Sequence, residues 1–112
     1  MDEWYRNQLK EIVTPLIAMW EKRMKVRVAG FGIRRMKTKW GSCNTESEQI
    51  LFNLELAKKP VDCIEYIVVH EMLHLLVRRH NDQFITCMHK LLPGWVNSRI
   101  KLNRSVLAGN SA

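Results

Sequence analysis

Ile64–Phe84 reads IEYIVVHEMLHLLVRRHNDQF, and its first half is apolar almost all round. With Val61 just upstream, residues Ile64, Tyr66, Ile67, Val68, Val69, Met72, Leu73, Leu75, Leu76 and Val77 leave no wide polar face. A helix of that kind lies at the centre of a domain. The pattern predicts a helix opened by Pro60 and running to Val77. Proline suits the first turn, and Asp62 and Glu65 suit the positive end of the helix dipole.

Inside this apolar helix stand His70, Glu71 and His74, an HExxH pattern. Residues four apart on a helix face nearly the same side, about 40° and ~6 Å apart. Two imidazoles so placed can bind one metal ion, and Glu71 beside them can reach a metal-bound water without being a ligand. Burying these groups unpaired costs on the order of 1–3 kcal/mol each, and more for a charged carboxylate. A metal ion with its water satisfies all three together; a polar stripe facing solvent is the alternative.

His80 lies six residues after His74. On a continued helix it would sit ~15 Å from His70 along the axis. It joins the pair only if the chain leaves the helix and turns back, and the polar stretch RRHND is the place for that. Three imidazoles with an open fourth position make a catalytic zinc site. The spacing HExxHxxxxxH equals that of the metzincins, which carry a glycine where this chain has Val77. Valine does not readily take the left-handed turn that glycine supplies, so the turn is expected after Arg78 or at Asn81. The remaining histidine, His89, reads as a surface or packing residue.

Working outward, residues 3–25 show the stripe of a core-facing helix, which Pro15 should kink or split near Thr14. Residues 26–36 and 49–55 read as strands that pair as a hairpin or meander, with a polar turn-like stretch at 41–48 between them. Asn81 or Asp82 caps a short helix carrying Phe84, Ile85 and Met88, ended by Pro93-Gly94. Trp95, Arg99, Leu102 and Val106 mark a last helix, and the final AGNSA reads as frayed. Trp20 and Trp95 read as core.

The chain has 112 residues, enough for one domain with its own core. Its three cysteines, Cys43, Cys63 and Cys87, lack a CxxC spacing, which argues against a disulfide framework or a thiolate zinc ribbon. No run is long and apolar enough for a membrane span, the N-terminus does not read as a signal peptide, and a reducing cytoplasm is expected. The net charge of +7 favours an acidic or nucleic-acid-associated partner. The basic stretch Arg34, Arg35, Lys37 and Lys39 reads as a solvated face that can also guide an acidic substrate.

RRMKTKWGSC (Arg34 to Cys43), ILFNLEL (Ile50 to Leu56) and the HExxH stretch together resemble the YgjP-like metallopeptidase domain, more distantly related to SprT-like proteases. The resemblance implies a single zincin-like domain over residues 1–112 and an α+β fold. A short, mostly antiparallel sheet would pack against an N-terminal helix and the buried HExxH helix, with C-terminal helices closing the site. It implies one zinc ion per chain on His70, His74 and His80, with Glu71 as catalytic base. Trp40, Gly41, Ser42 and Cys43 match the family without declaring a chemistry, and Cys43 reads as structural. Zincin-type proteases pair an extended substrate with an edge strand, which makes Asn53 and Leu54 candidate substrate contacts, although Asn53 can equally bond a loop.

The expected activity is hydrolysis of peptide bonds in a peptide or protein substrate, through a zinc-bound water activated by Glu71. A second oxyanion donor is needed, and Arg78, Arg79, His89 and Arg99 are equal candidates. Alternatives are a metal-dependent nucleotide (phosphoanhydride) hydrolase and a basic nucleic-acid-associated binding module.

Overall fold

The computed structural model describes residues 1–104; the expectations for Val106 and the AGNSA tail lie outside them. The chain runs α1 (Asp2–Met24), β1 (Gly30–Arg34), β2 (Gly41–Asn44), β3 (Gln49–Asn53), a short 3₁₀ helix (Leu54–Lys58), α2 (Val61–Leu73), α3 (Asp82–Leu91) and α4 (Trp95–Asn103). No helix among the described residues is long and apolar enough to cross a membrane. The architecture is α+β, an N-terminal helix, a small sheet and C-terminal helices around a buried central helix.

α1 is one helix, not split at Pro15. Proline removes the bond to the Glu11 carbonyl, but Glu11 and Pro15 are both exposed and water can take that acceptor. The helix buries Leu9, Val13, Ile17, Trp20 and Met24, and ends where Lys25 adopts a left-handed conformation (φ 57°). This stripe packs on α2 and the 3₁₀ segment, more than on the sheet. The Trp20 indole donates to Glu65 Oε2 (2.9 Å), and the Arg6 guanidinium donates to the Ile33 carbonyl at the end of β1.

The sheet differs from the expected hairpin of two strands. Its order is β1-β3-β2. β1 pairs with β3 in parallel, Gly30 opposite Gln49 and Arg34 opposite Asn53. The antiparallel partner of β3 is β2, drawn from the stretch read as a turn, with Gly41 opposite Phe52 and Asn44 opposite Gln49. Only Thr45–Glu48 is a turn, held by Asn44 Oδ1, which accepts from the Glu46 and Ser47 amides (3.0 and 3.1 Å). β2 is therefore an edge strand and β3 is central.

α2 is buried on nearly every side and touches α1, α3, α4 and β2. It stops at Leu73, one turn before the predicted end. The last amides shift to bonds three residues back: His74 to Glu71 (3.2 Å), Leu75 to Met72 (3.0 Å) and Leu76 to Leu73 (2.9 Å). That tightening ends the helix without a left-handed residue, since positive φ among described non-glycine residues occurs only at Lys25 and Glu48. Val77 thus needs no glycine's freedom, and its side chain is buried. α4 is tied back to α2 by Lys101 on Asp62 (2.8 Å) and by the Cys63 thiol on the Ser98 carbonyl (3.6 Å).

Candidate metal centre

α2 carries His70 and Glu71, His74 is the residue that closes it, and the following loop carries His80. One ligand atom from each histidine lies within 4.8 Å of the others, so the three can hold a metal ion. His70 Nε2 and His80 Nε2 are 3.0 Å apart. In a tetrahedral zinc site, nitrogens at 2.0–2.1 Å from the ion are about 3.3 Å from one another, so a small adjustment fits this donor set to such an ion.

Two of the rings are oriented through their other nitrogen. His70 Nδ1 donates to Glu71 Oε2 (3.0 Å), and His74 Nδ1 donates to the Arg78 carbonyl (3.0 Å). A proton fixed on Nδ1 leaves Nε2 as a lone pair, the form a metal needs. Burial, with the neighbouring His70 and His74, lowers the His80 pKa and favours its neutral form as well.

Phe84 packs against all three rings, its centroid 5.1 Å from His70, 4.8 Å from His74 and 4.9 Å from His80. Its place follows from the cap of α3: Asn81 Oδ1 accepts from the Phe84 amide (3.0 Å), as the sequence suggested for Asn81. One capped turn thereby sets both the residue after His80 and the ring that backs the cluster.

The cluster opens into a cleft of about 570 Å³. One wall is β2, through Gly41, Ser42 and Cys43; the other carries Tyr66, Trp95 and Arg99. Gly41 lies where α2 passes β2, and a Cβ there would be 3.0 Å from Ile67 Cγ2 and 3.1 Å from Glu71 Cγ. Burial, and then the Glu71 charge, push the Cys43 thiol up to about 11. Among the four candidate donors, Arg78 and Arg99 line the cleft while Arg79 and His89 do not. His89 instead takes the Trp95 indole proton on Nδ1 (3.3 Å). Lys39 reaches the cleft, whereas Arg35 is engaged with Asp2 (2.7 Å) and Glu55 (2.9 Å).

Asn53 and Leu54 are elsewhere. Asn53 is wholly buried at the end of the central strand. Its amide donates to the Met36 and Lys39 carbonyls (2.9 and 2.8 Å) and its oxygen accepts from the Glu55 amide (3.0 Å). This is the loop-bonding alternative, and Leu54 is a core residue. Neither side chain reaches the cleft; the unpaired strand edge beside it belongs to β2. Tyr66 and Arg99 are the cleft residues with the weakest sequence signal, Tyr66 hidden in an apolar run and Arg99 one of four equal candidates.

A buried HExxH helix beside a small sheet, with a third histidine on the next loop, defines a metallopeptidase-like α+β domain. The chain belongs to the YgjP-like metallopeptidase domain family, whose profile matches residues 1–105. Its fold is similar to that of the metallopeptidase zymogen jannalysin of Methanocaldococcus jannaschii, with a TM-score of 0.66 at 17% identity over 86% of this chain and 94% of that one. No curated protein sequence matches it.

Proposed function

We propose that the chain, as one zincin-like domain, is a zinc-dependent metallopeptidase that hydrolyses peptide bonds, with Glu71 as its catalytic base. The observation that carries this reading is the convergence of His70, His74 and His80 nitrogens beside a buried carboxylate at the floor of an open cleft. Membership of a metallopeptidase family and the fold shared with jannalysin support it. Three imidazoles with a free fourth position suit zinc. Zinc held there supplies Lewis acidity, polarising a carbonyl and making water acidic near neutral pH.

The chain's own residues do the rest. Glu71 is 5% exposed, enough to meet a water entering from the cleft. An Oε atom accepts a proton from the attacking water and returns it to the leaving amine nitrogen. The free edge of β2 offers backbone groups to an extended peptide, which fixes its carbonyl over the histidines. The free cysteines agree with a reducing, cytoplasmic setting.

The test begins with zinc per chain in the wild type and in His74→Ala and His80→Ala. One zinc is expected in the wild type, lost or weakened in both variants. Glu71→Gln is expected to keep zinc and lose cleavage of an unstructured protein substrate by roughly 100-fold or more. A zinc-free wild type, or a Glu71→Gln variant of undiminished turnover, rejects the reading. Phosphate release from a nucleoside triphosphate in place of peptide cleavage turns it toward a phosphoanhydride hydrolase.

A further inference from the structure

Tyr66 precedes His70 by one helical turn and shares its face of α2. It is 1% exposed and lines the cleft. Its ring stacks on Trp95 (centroids 6.1 Å, planes 19° apart) and meets His70 edge-on at 5.7 Å. A phenylalanine would make these contacts equally well, so the hydroxyl calls for its own explanation. Buried tyrosine hydroxyls usually find a partner. Among the described residues none bonds this one, and its oxygen is not sealed in the core, since the buried side-chain atom left without a partner there is Asn103 Oδ1; the hydroxyl is therefore open to a group entering the cleft.

Arg99 stands on the same indole, its guanidinium carbon 5.1 Å from the Trp95 centroid. It is half-buried and lines the cleft, and no carboxylate among the described residues pairs with it. The cleft has two further cations, Lys39 and Arg78, and a single acid, Glu71. A wall with an O–H donor, a planar guanidinium and a positive surrounding field is suited to an anion. Carboxylate is the anion a peptide brings.

We propose that Arg99 and Tyr66, which both pack on Trp95 and both line the cleft, form a subsite that binds a carboxylate of the substrate next to the scissile bond. The peptidase would then select peptides by an acidic side chain or by a free C-terminus at that position. This inference rests on the peptidase reading of the same cleft, and binding is measured separately from cleavage.

The experiment uses the full chain as the zinc-loaded Glu71→Gln variant, so that peptides bind without being cut. Three N-acetylated peptides serve as probes: a central glutamate with an amidated C-terminus, its glutamine counterpart, and that counterpart with a free C-terminal carboxylate. At least one carboxylate peptide is expected to bind about tenfold or more tighter than the neutral one, and which one does so identifies the source of the carboxylate. Adding Arg99→Gln should abolish the preference, Arg99→Lys should restore part of it, and Tyr66→Phe should weaken it several-fold with an unchanged circular dichroism spectrum. Equal binding of all three probes, or a preference that survives Arg99→Gln, overturns the proposal. If the preference holds but the wild type cleaves no peptide, the subsite stands and the peptidase reading falls. Cleavage without a preference removes the subsite alone.

Discussion

Gly41 lies directly against Glu71: a methyl group on Gly41 would sit 3.1 Å from Glu71 Cγ, 3.0 Å from Ile67 Cγ2 and 3.2 Å from the Leu51 carbonyl. Two of the three obstacles belong to α2, so a side chain at Gly41 must lift β2 or displace the proposed base. Gly41→Ala is expected to lower kcat/KM roughly tenfold or more, with a stability loss of about 1–3 kcal/mol and retained metal. Peptide turnover, chemical denaturation and metal content on the same sample check this. Wild-type kcat/KM would show that the strand is not seated on Glu71.

Phe84 contacts each of the three imidazoles and belongs to the core, so its shape matters to the metal as well as to the core. Phe84→Leu keeps much of the volume and should cost under about 1.5 kcal/mol of stability. It should weaken metal binding by roughly 10- to 100-fold, as loss of other groups that support ligands does. Phe84→Ala should also cost about 3–5 kcal/mol. Competition against a chelator of known affinity measures the first effect and urea unfolding the second.

The Cys43 thiol is held up to about 11 by burial, with the Glu71 carboxylate adding to the effect. Both causes disfavour the anion, so both raise the pKa, and only the thiolate reacts with alkylating agents. Alkylation by iodoacetamide, followed by peptide mapping to separate Cys43 from Cys63 and Cys87, should still be accelerating at pH 10. Glu71→Gln should shift the profile to lower pH. A plateau near the ordinary thiol value of about 8.5 would contradict the contact.

Arg78 and Arg79 are exposed in the loop between His74 and His80. A metal bound to His80 and α2 restrains that loop at both ends. A metal at a thousand times its dissociation constant would stabilise the folded chain by about 4 kcal/mol. Removal by a chelator is expected to lower Tm and to speed tryptic cleavage after Arg78 or Arg79 severalfold, reversibly on adding zinc. Equal cleavage rates with and without chelator would show that His80 is not a ligand in solution.

The parts legible in the sequence are those whose physics is local. The burial of α2 and the facing pair His70 and His74 follow from helical periodicity, and the cap at Asn81 from one side chain and the next turn's amide. β2 was hidden because Gly41-Ser42-Cys43-Asn44 has no apolar alternation; pairing with β3 makes it a strand, and α2 demands its small residue. The parallel pairing of β1 with β3 is non-local and leaves no periodic trace. In the site, Tyr66 is indistinguishable in sequence from its apolar neighbours. Asn53 allowed two readings, and only the Met36 and Lys39 carbonyls decide between them.

The parallel partnership of β1 and β3 also orders the events of folding. β2 and β3 are joined by the short Thr45–Glu48 turn and can zip together as soon as it closes. Gly30 must instead find Gln49 across the loop before β2, β2 itself and its turn, a larger loop to close with a later reward. During refolding, pulse-labelled amides of β2 and β3 are therefore expected to gain protection before those of β1. The wall of the cleft that meets Glu71 then takes shape while the opposite edge of the sheet is still open.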